Sequence, residues 1–121
     1  MNQLVQRAFF GKNNCLKVSL NSQKECYFHF GTCSNEKWNW KKVKMTDTEI
    51  ADITLVLENK KQSTSFFHKY NNETTQVWIN RSGETVFIKV KELSKQLTLT
   101  EQKVLEVLLK NMIWIINTNV A

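Results

Sequence analysis

Thr74-Thr75-Gln76-Val77-Trp78-Ile79-Asn80-Arg81-Ser82-Gly83-Glu84-Thr85-Val86-Phe87-Ile88-Lys89-Val90-Lys91 reads as two alternating runs around one short polar break. Val77 and Ile79 share a parity on one side of the break. Val86, Ile88 and Val90 share one on the other, as two half-buried strands of a hairpin do. Gly83 stands where such a connection uses a positive φ. With the aliphatic residues turned to a core, the opposite face carries Gln76, Trp78, Asn80, Phe87, Lys89 and Lys91. A solvated face should be polar, yet this one interleaves two rings with cations and amides. Two readings are open. Either the rings stack on bases while Lys and Arg neutralise phosphates, or they pack beneath another subunit or helix.

Working outward, Thr64 to Tyr70 is a further strand before the hairpin, and three more precede it: Cys15 to Leu20, Glu25 to Thr32 and Lys37 to Met45. In the last of these, period two puts Trp38, Trp40, Lys42 and Lys44 on one face. Lys37 and Lys41 lie nearby and no acid intervenes before Met45, the pattern of a phosphate track. Thr46-Asp47-Thr48-Glu49 and Thr98-Leu99-Thr100-Glu101 are capping boxes, each opening a helix. The first helix carries Ile50, Ile53, Val56 and Leu57 and stops near Asn59. The second, after a connector from Leu93 to Leu97, reaches at least Trp114 and is apolar on more than one face. Its Leu105, Leu108, Leu109, Met112, Ile113 and Ile116 predict burial on two sides, the second side by another subunit. The expected fold is α+β: one domain over residues 1–121, built as two β-β-β-α units with room for a fourth strand in each. Antiparallel sheets would be backed by the two helices.

Composition fits that outline. A chain of 121 residues, 41% hydrophobic and 23% charged, can bury one core without disulfide or metal staples. The net charge of +6 is unevenly spread: +6 over residues 1–45, −4 over 46–59, +4 over 60–97 and zero beyond. The predicted sheets are therefore basic and the helices acidic or neutral. No Pro and three Gly exclude collagen-like sequence, Pro-rich linkers and glycine-rich nucleotide loops. The longest apolar run, Met112 to Ile116, is far short of the roughly 20 residues that cross a bilayer. Met1 to Phe10 lacks the pattern of a signal peptide, and three cysteines without scaffold spacing fit reduced thiols. The expected setting is intracellular, either cytoplasmic and nucleoid-associated or organellar.

Catalytic patterns are weak. Cys26 and His29 fall on opposite faces of one strand, and Cys33 adds no fourth ligand, so no metal is assigned. His68 has no Cys or Ser at nucleophile spacing. Asp47, Glu49 and Asp52 gather at a helix start, where carboxylates suit the dipole. No enzyme activity and no cofactor are expected.

Several of these segments, in this order, resemble the whirly family of single-stranded nucleic-acid binders. Gly11-Lys12 resembles the Lys-Gly-Lys entry of its signature, and Asn39-Trp40-Lys41-Lys42 leading into Thr46-Asp47-Thr48-Glu49-Ile50 resembles its Asp-Trp-x-x-Lys strand and Thr-x-Glu cap. Phe66-Phe67-His68 matches a Phe-Phe-His after the first helix, and Leu99-Thr100-Glu101 resembles the start of a final helix that ends on a Trp, here Trp114. Phe10, Asn13-Asn14 and Lys69 depart from the family pattern. The resemblance implies a sheet-based binder of single-stranded DNA or RNA, assembled as dimers or tetramers through its helices. It also implies a wider kinship to the positive-cofactor type of coactivator and to kinetoplastid guide-RNA binders.

The leading expectation is thus a sequence-tolerant single-stranded DNA-binding protein without catalysis. Phosphate contacts are expected from Lys12, Lys17, Lys42, Lys44, Arg81, Lys89 and Lys91, and base stacking from Tyr27, Trp38, Trp40, Trp78 and Phe87. The alternatives are single-stranded RNA binding or a transcription cofactor, and a protein-interaction module that uses the same aromatics as an interface. Its partners would be the nucleic-acid strand and further copies of itself, as a homodimer or higher homo-oligomer, with no membrane.

Overall fold

The computed structural model describes residues 3–91 and 93–118. Its elements run β1 (Gln3–Phe10), β2 (Asn14–Asn21), β3 (Cys26–Ser34), β4 (Lys37–Met45), α1 (Asp47–Leu57), β5 (Ser63–Tyr70), β6 (Glu73–Ser82), β7 (Thr85–Val90), β8 (Leu93–Leu97) and α2 (Leu99–Asn117). Each half is an antiparallel four-stranded meander, β1-β2-β3-β4 or β5-β6-β7-β8, followed by a helix. This is the expected α+β fold, with the fourth strand present in both units.

The added strands are β1 and β8. All but one of the residues of β1 are exposed or half-buried, with only Phe9 enclosed, so an edge strand with no buried stripe leaves little periodicity to read. In β8, Leu93 and Leu97 do alternate with polar residues, but the inward position between them is a buried Lys95. Tight hairpins hold the register. Asn35 and Glu36 join β3 to β4, and Asn71 and Asn72 join β5 to β6, with φ of +52°, +65°, +50° and +63°. Paired positive φ values give the primed turns whose twist matches the strands, and Asn supplies three of these four positions in a chain poor in Gly.

Both capping boxes close. Thr46 Oγ1 accepts from Glu49 N at 3.2 Å while Glu49 Oε1 accepts from Thr46 N at 2.9 Å. Thr98 and Glu101 do the same at 3.2 and 3.0 Å. One core joins the inner faces of both sheets to the helices: Leu16, Val18, Phe28 and Val43 from the first sheet, Val77, Ile79, Ile88 and Leu97 from the second, Ile50, Ile53 and Val56 from α1. No helix among the described residues is long and apolar enough to cross a membrane.

Two sequence expectations are corrected here. Leu105, Leu109 and Met112 are fully buried in this chain's own core, so they do not face another subunit, and Leu108, Ile113 and Ile116 pack half-buried against that core. The second apolar stripe of α2 is instead Val104, Val107 and Trp114, all exposed. Arg81, expected among phosphate contacts, points inward and is buried. Its Nη2 donates to Val56 O at 2.9 Å, Leu57 O at 3.0 Å and Gln102 Oε1 at 3.0 Å, and its Nε donates to Val56 O at 3.1 Å. It shares the parity of Val77 and Ile79, and the last carbonyls of α1 provide the partial negative charge a buried guanidinium needs.

Candidate nucleic-acid interface

The outer face of the first sheet is organised in cross-strand rows. Lys17, His29 and Lys42 are in register across β2, β3 and β4, as are Ser19, Tyr27 and Lys44 in the next row and Cys15, Gly31 and Trp40 in the row on the other side. Trp40 lies flat where Gly31 has no side chain: a Cβ on Gly31 would come within 2.7 Å of Trp40 Cζ3. Trp38 stacks beside it, ring centroids 5.5 Å apart and planes 19° off parallel, and Phe10 meets Trp38 edge-on at 6.0 Å. Lysines reach over the rings, Lys17 Nζ at 5.4 Å from the Trp40 centroid and Lys42 Nζ at 4.1 Å from that of Tyr27.

His29 sits between these cations. Desolvation first, then the charges of Lys17 and Lys42, lowers its pKa from 6.5 to about 4, so its ring is neutral at physiological pH. Ser19 Oγ lies 3.1 Å from its Nε2. Cys15, under the same face, has its thiol pKa raised by burial.

On the second sheet, Ser65, Trp78, Lys89 and Ser94 form one row across β5 to β8, and Ser63, Asn80, Phe87 and Gln96 form the next. Trp78 is exposed and Phe87 half-buried on this outer face, and Lys89 Nζ lies 5.8 Å from the Trp78 centroid. A cleft of about 490 Å³ lies where the sheets approach, lined by Tyr27, Lys41, Lys42, Lys44, His68 and Lys69. Among its lining residues, His68 has its Nε2 2.9 Å from Glu49 Oε2, without the geometry of a hydrogen bond.

The expected cations divide by their partners. Lys44 is bound to Glu25 at 2.9 Å, and Lys91, in the turn after β7, is bound to Glu73, which also holds Lys41 at 3.1 Å. Hydrogen bonds from Lys91 and Lys41 pull the Glu73 pKa down; those from Asn21 and Lys44 do the same for Glu25. Lys12, exposed in the β1–β2 turn, together with Lys17, Lys42 and Lys89, makes no ion pair among the described residues. Of the expected cations, these four are the ones left for an incoming anion.

Sequence reasoning passed over Phe10, His29, Phe67 and Lys69. Phe10 and Phe67 are 65% and 68% exposed, more than any of the rings expected to stack. Alternation carried the signal for Phe67 and Lys69, because Phe66 and His68 turn inward against α1 and Glu49. Phe10 belongs to β1, which the pattern did not reveal.

The crystal structures of Trypanosoma bruciei MRP1/MRP2 contain a chain of similar fold, with a TM-score of 0.69 over 93% of this chain and 86% of that one, at 12% identity. At that identity the likeness is one of fold alone. No protein-family model matches the sequence, and no curated protein matches it.

Proposed function

We propose that this chain binds single-stranded nucleic acid on the outer faces of its two sheets, without a catalytic step. The observation that carries the reading is the Lys17–Trp40–Gly31 arrangement: an exposed indole laid flat on the sheet, beside lysines that pair with no carboxylate among the described residues. A dry protein interface would leave those cations desolvated and unpaired, whereas a single strand brings phosphates to them and bases to the rings. The whirly-like order of motifs points the same way. Both DNA and RNA meet these requirements.

The test is a titration with single-stranded DNA, single-stranded RNA and duplex at two salt concentrations. Single strands should bind more tightly than duplex and quench tryptophan fluorescence. The slope of log affinity against log salt should steepen by about 0.7 for each phosphate engaged. Affinity independent of salt, or equal for duplex, would overturn the reading.

Self-association rests on a separate observation, the exposed Val104, Val107 and Trp114 stripe of α2. A second copy would cover it, and Val107→Lys should then convert an oligomer to a monomer by mass in solution.

A further inference from the structure

The outer face of the second sheet holds an open depression of about 740 Å³ whose chemistry differs from that of the first sheet. On the first sheet, Trp38 and Trp40 are already stacked on each other and the surrounding positions are cationic. In the depression, Trp78 and Phe87 form no such stack with each other among the described residues, and the other lining groups include Ser63, Ser65, Asn80 and Ser94.

The register sets the spacing. Trp78 pairs with Lys89 and Asn80 with Phe87, so the two rings are diagonal neighbours on adjacent strands. Diagonal positions lie roughly 7–8 Å apart along the backbone, so one planar ligand can reach both rings from the open side of the depression. Asn80 is next to both, and the hydrogen bonds nearby leave it unused: Thr64 is engaged by Asp52 and Gln62 by the Arg81 carbonyl, while the side chains of Asn80, Ser63, Ser65 and Ser94 make no such bond among the described residues. No carboxylate lines the depression among the described residues. Lys61 at its rim is paired with Asp52 at 3.0 Å, which leaves Lys89 as the cation for an adjoining phosphate.

We propose that this depression is a nucleobase pocket, with one unpaired base stacked against the rings that line it, Trp78 and Phe87, and its polar edge read by Asn80. Adenine and cytosine are the bases it favours over thymine, since a carboxamide accepts from their exocyclic amine and donates to the neighbouring ring nitrogen, an edge thymine lacks. This rests on the single-strand reading above and sharpens it: the first sheet grips any strand, and the second sheet selects.

The test uses the full chain and oligo-dA, oligo-dT and oligo-dC of about 15 nucleotides. The wild type should prefer oligo-dA and oligo-dC to oligo-dT. Asn80→Ala, a change at an exposed position, should reduce the preference for oligo-dA over oligo-dT by about fivefold or more and leave the salt slope as it was. Lys89→Ala should lower that slope by about 0.7 and keep the preference. If the wild type binds all three oligonucleotides alike, or Asn80→Ala moves the preference by less than about twofold, the pocket is overturned while the single-strand reading stands. If no oligonucleotide binds at low salt, both fall together.

Discussion

His29 is held neutral by its position in the Lys17–His29–Lys42 row, half-covered by the sheet and flanked by two positive charges. Between about pH 6.5 and pH 4 an unfolded His29 takes up a proton that the folded one refuses. The unfolded state therefore binds more protons in that window, and stability should fall as pH falls through it. The urea midpoint should drop from pH 6.5 to pH 4, with a smaller drop in His29→Gln. An anion seated between Lys17 and Lys42 offsets their charge, so an oligonucleotide should raise the His29 pKa, read from its ring proton shifts. Gly31 is the other residue on which the face depends. Gly31→Ala places a methyl group against the Trp40 ring. The indole must lift, so single-strand affinity should fall by about 1–3 kcal/mol, the worth of one stacked base, with a changed near-ultraviolet tryptophan spectrum and far-ultraviolet signal intact.

Arg81 acts on the scale of elements, because a single guanidinium on β6 closes the end of α1 and ties it to Gln102 on α2. The last turn of α1 carries no basic residue of its own. Arg81→Met should cost about 2–4 kcal/mol in urea unfolding, without changing the salt slope of binding, because the charge never faces a strand. Assigning Arg81 to the surface followed its charge and ignored its parity, which the flanking Val77 and Ile79 display. Elsewhere local chemistry was decisive. Both helix starts were legible because a Thr and a Glu three residues apart satisfy their own backbone donors. The hairpins around β6 were legible from their alternation. The strand β1 was not, since an edge strand with only Phe9 buried has no stripe to detect. Nor could the sequence decide which apolar stripe of α2 enters the core, because Leu105 and Val107 differ there only in which one meets the sheets.

Across the whole molecule, the basic sheets and the acidic or neutral helices place the available cations on outer faces. Alternation made Trp38, Trp40, Lys42, Trp78 and Lys89 legible as surface residues. The pairing of Lys44 and Lys91 with carboxylates was not legible, since Glu25 and Glu73 are brought to them only by the sheet register. The cleft of about 490 Å³ between the sheets depends in the same way on how two distant segments meet. Lys42 and Lys69 line it and make no ion pair among the described residues. Under the proposed function, a strand that crosses from one outer face to the other would pass this cleft with its phosphates toward those lysines. Two faces joined by one continuous ligand act as linked sites, and the second engagement is favoured by the high effective concentration that the first creates. Affinity should therefore climb steeply once oligo-dT exceeds the length that reaches the second face, with only a shallow rise before. Lys42→Ala with Lys69→Ala should flatten that step while short oligonucleotides lose only the contribution of Lys42. A smooth rise with length in the wild type, measured by fluorescence quenching at fixed salt, would show that the two faces bind independently.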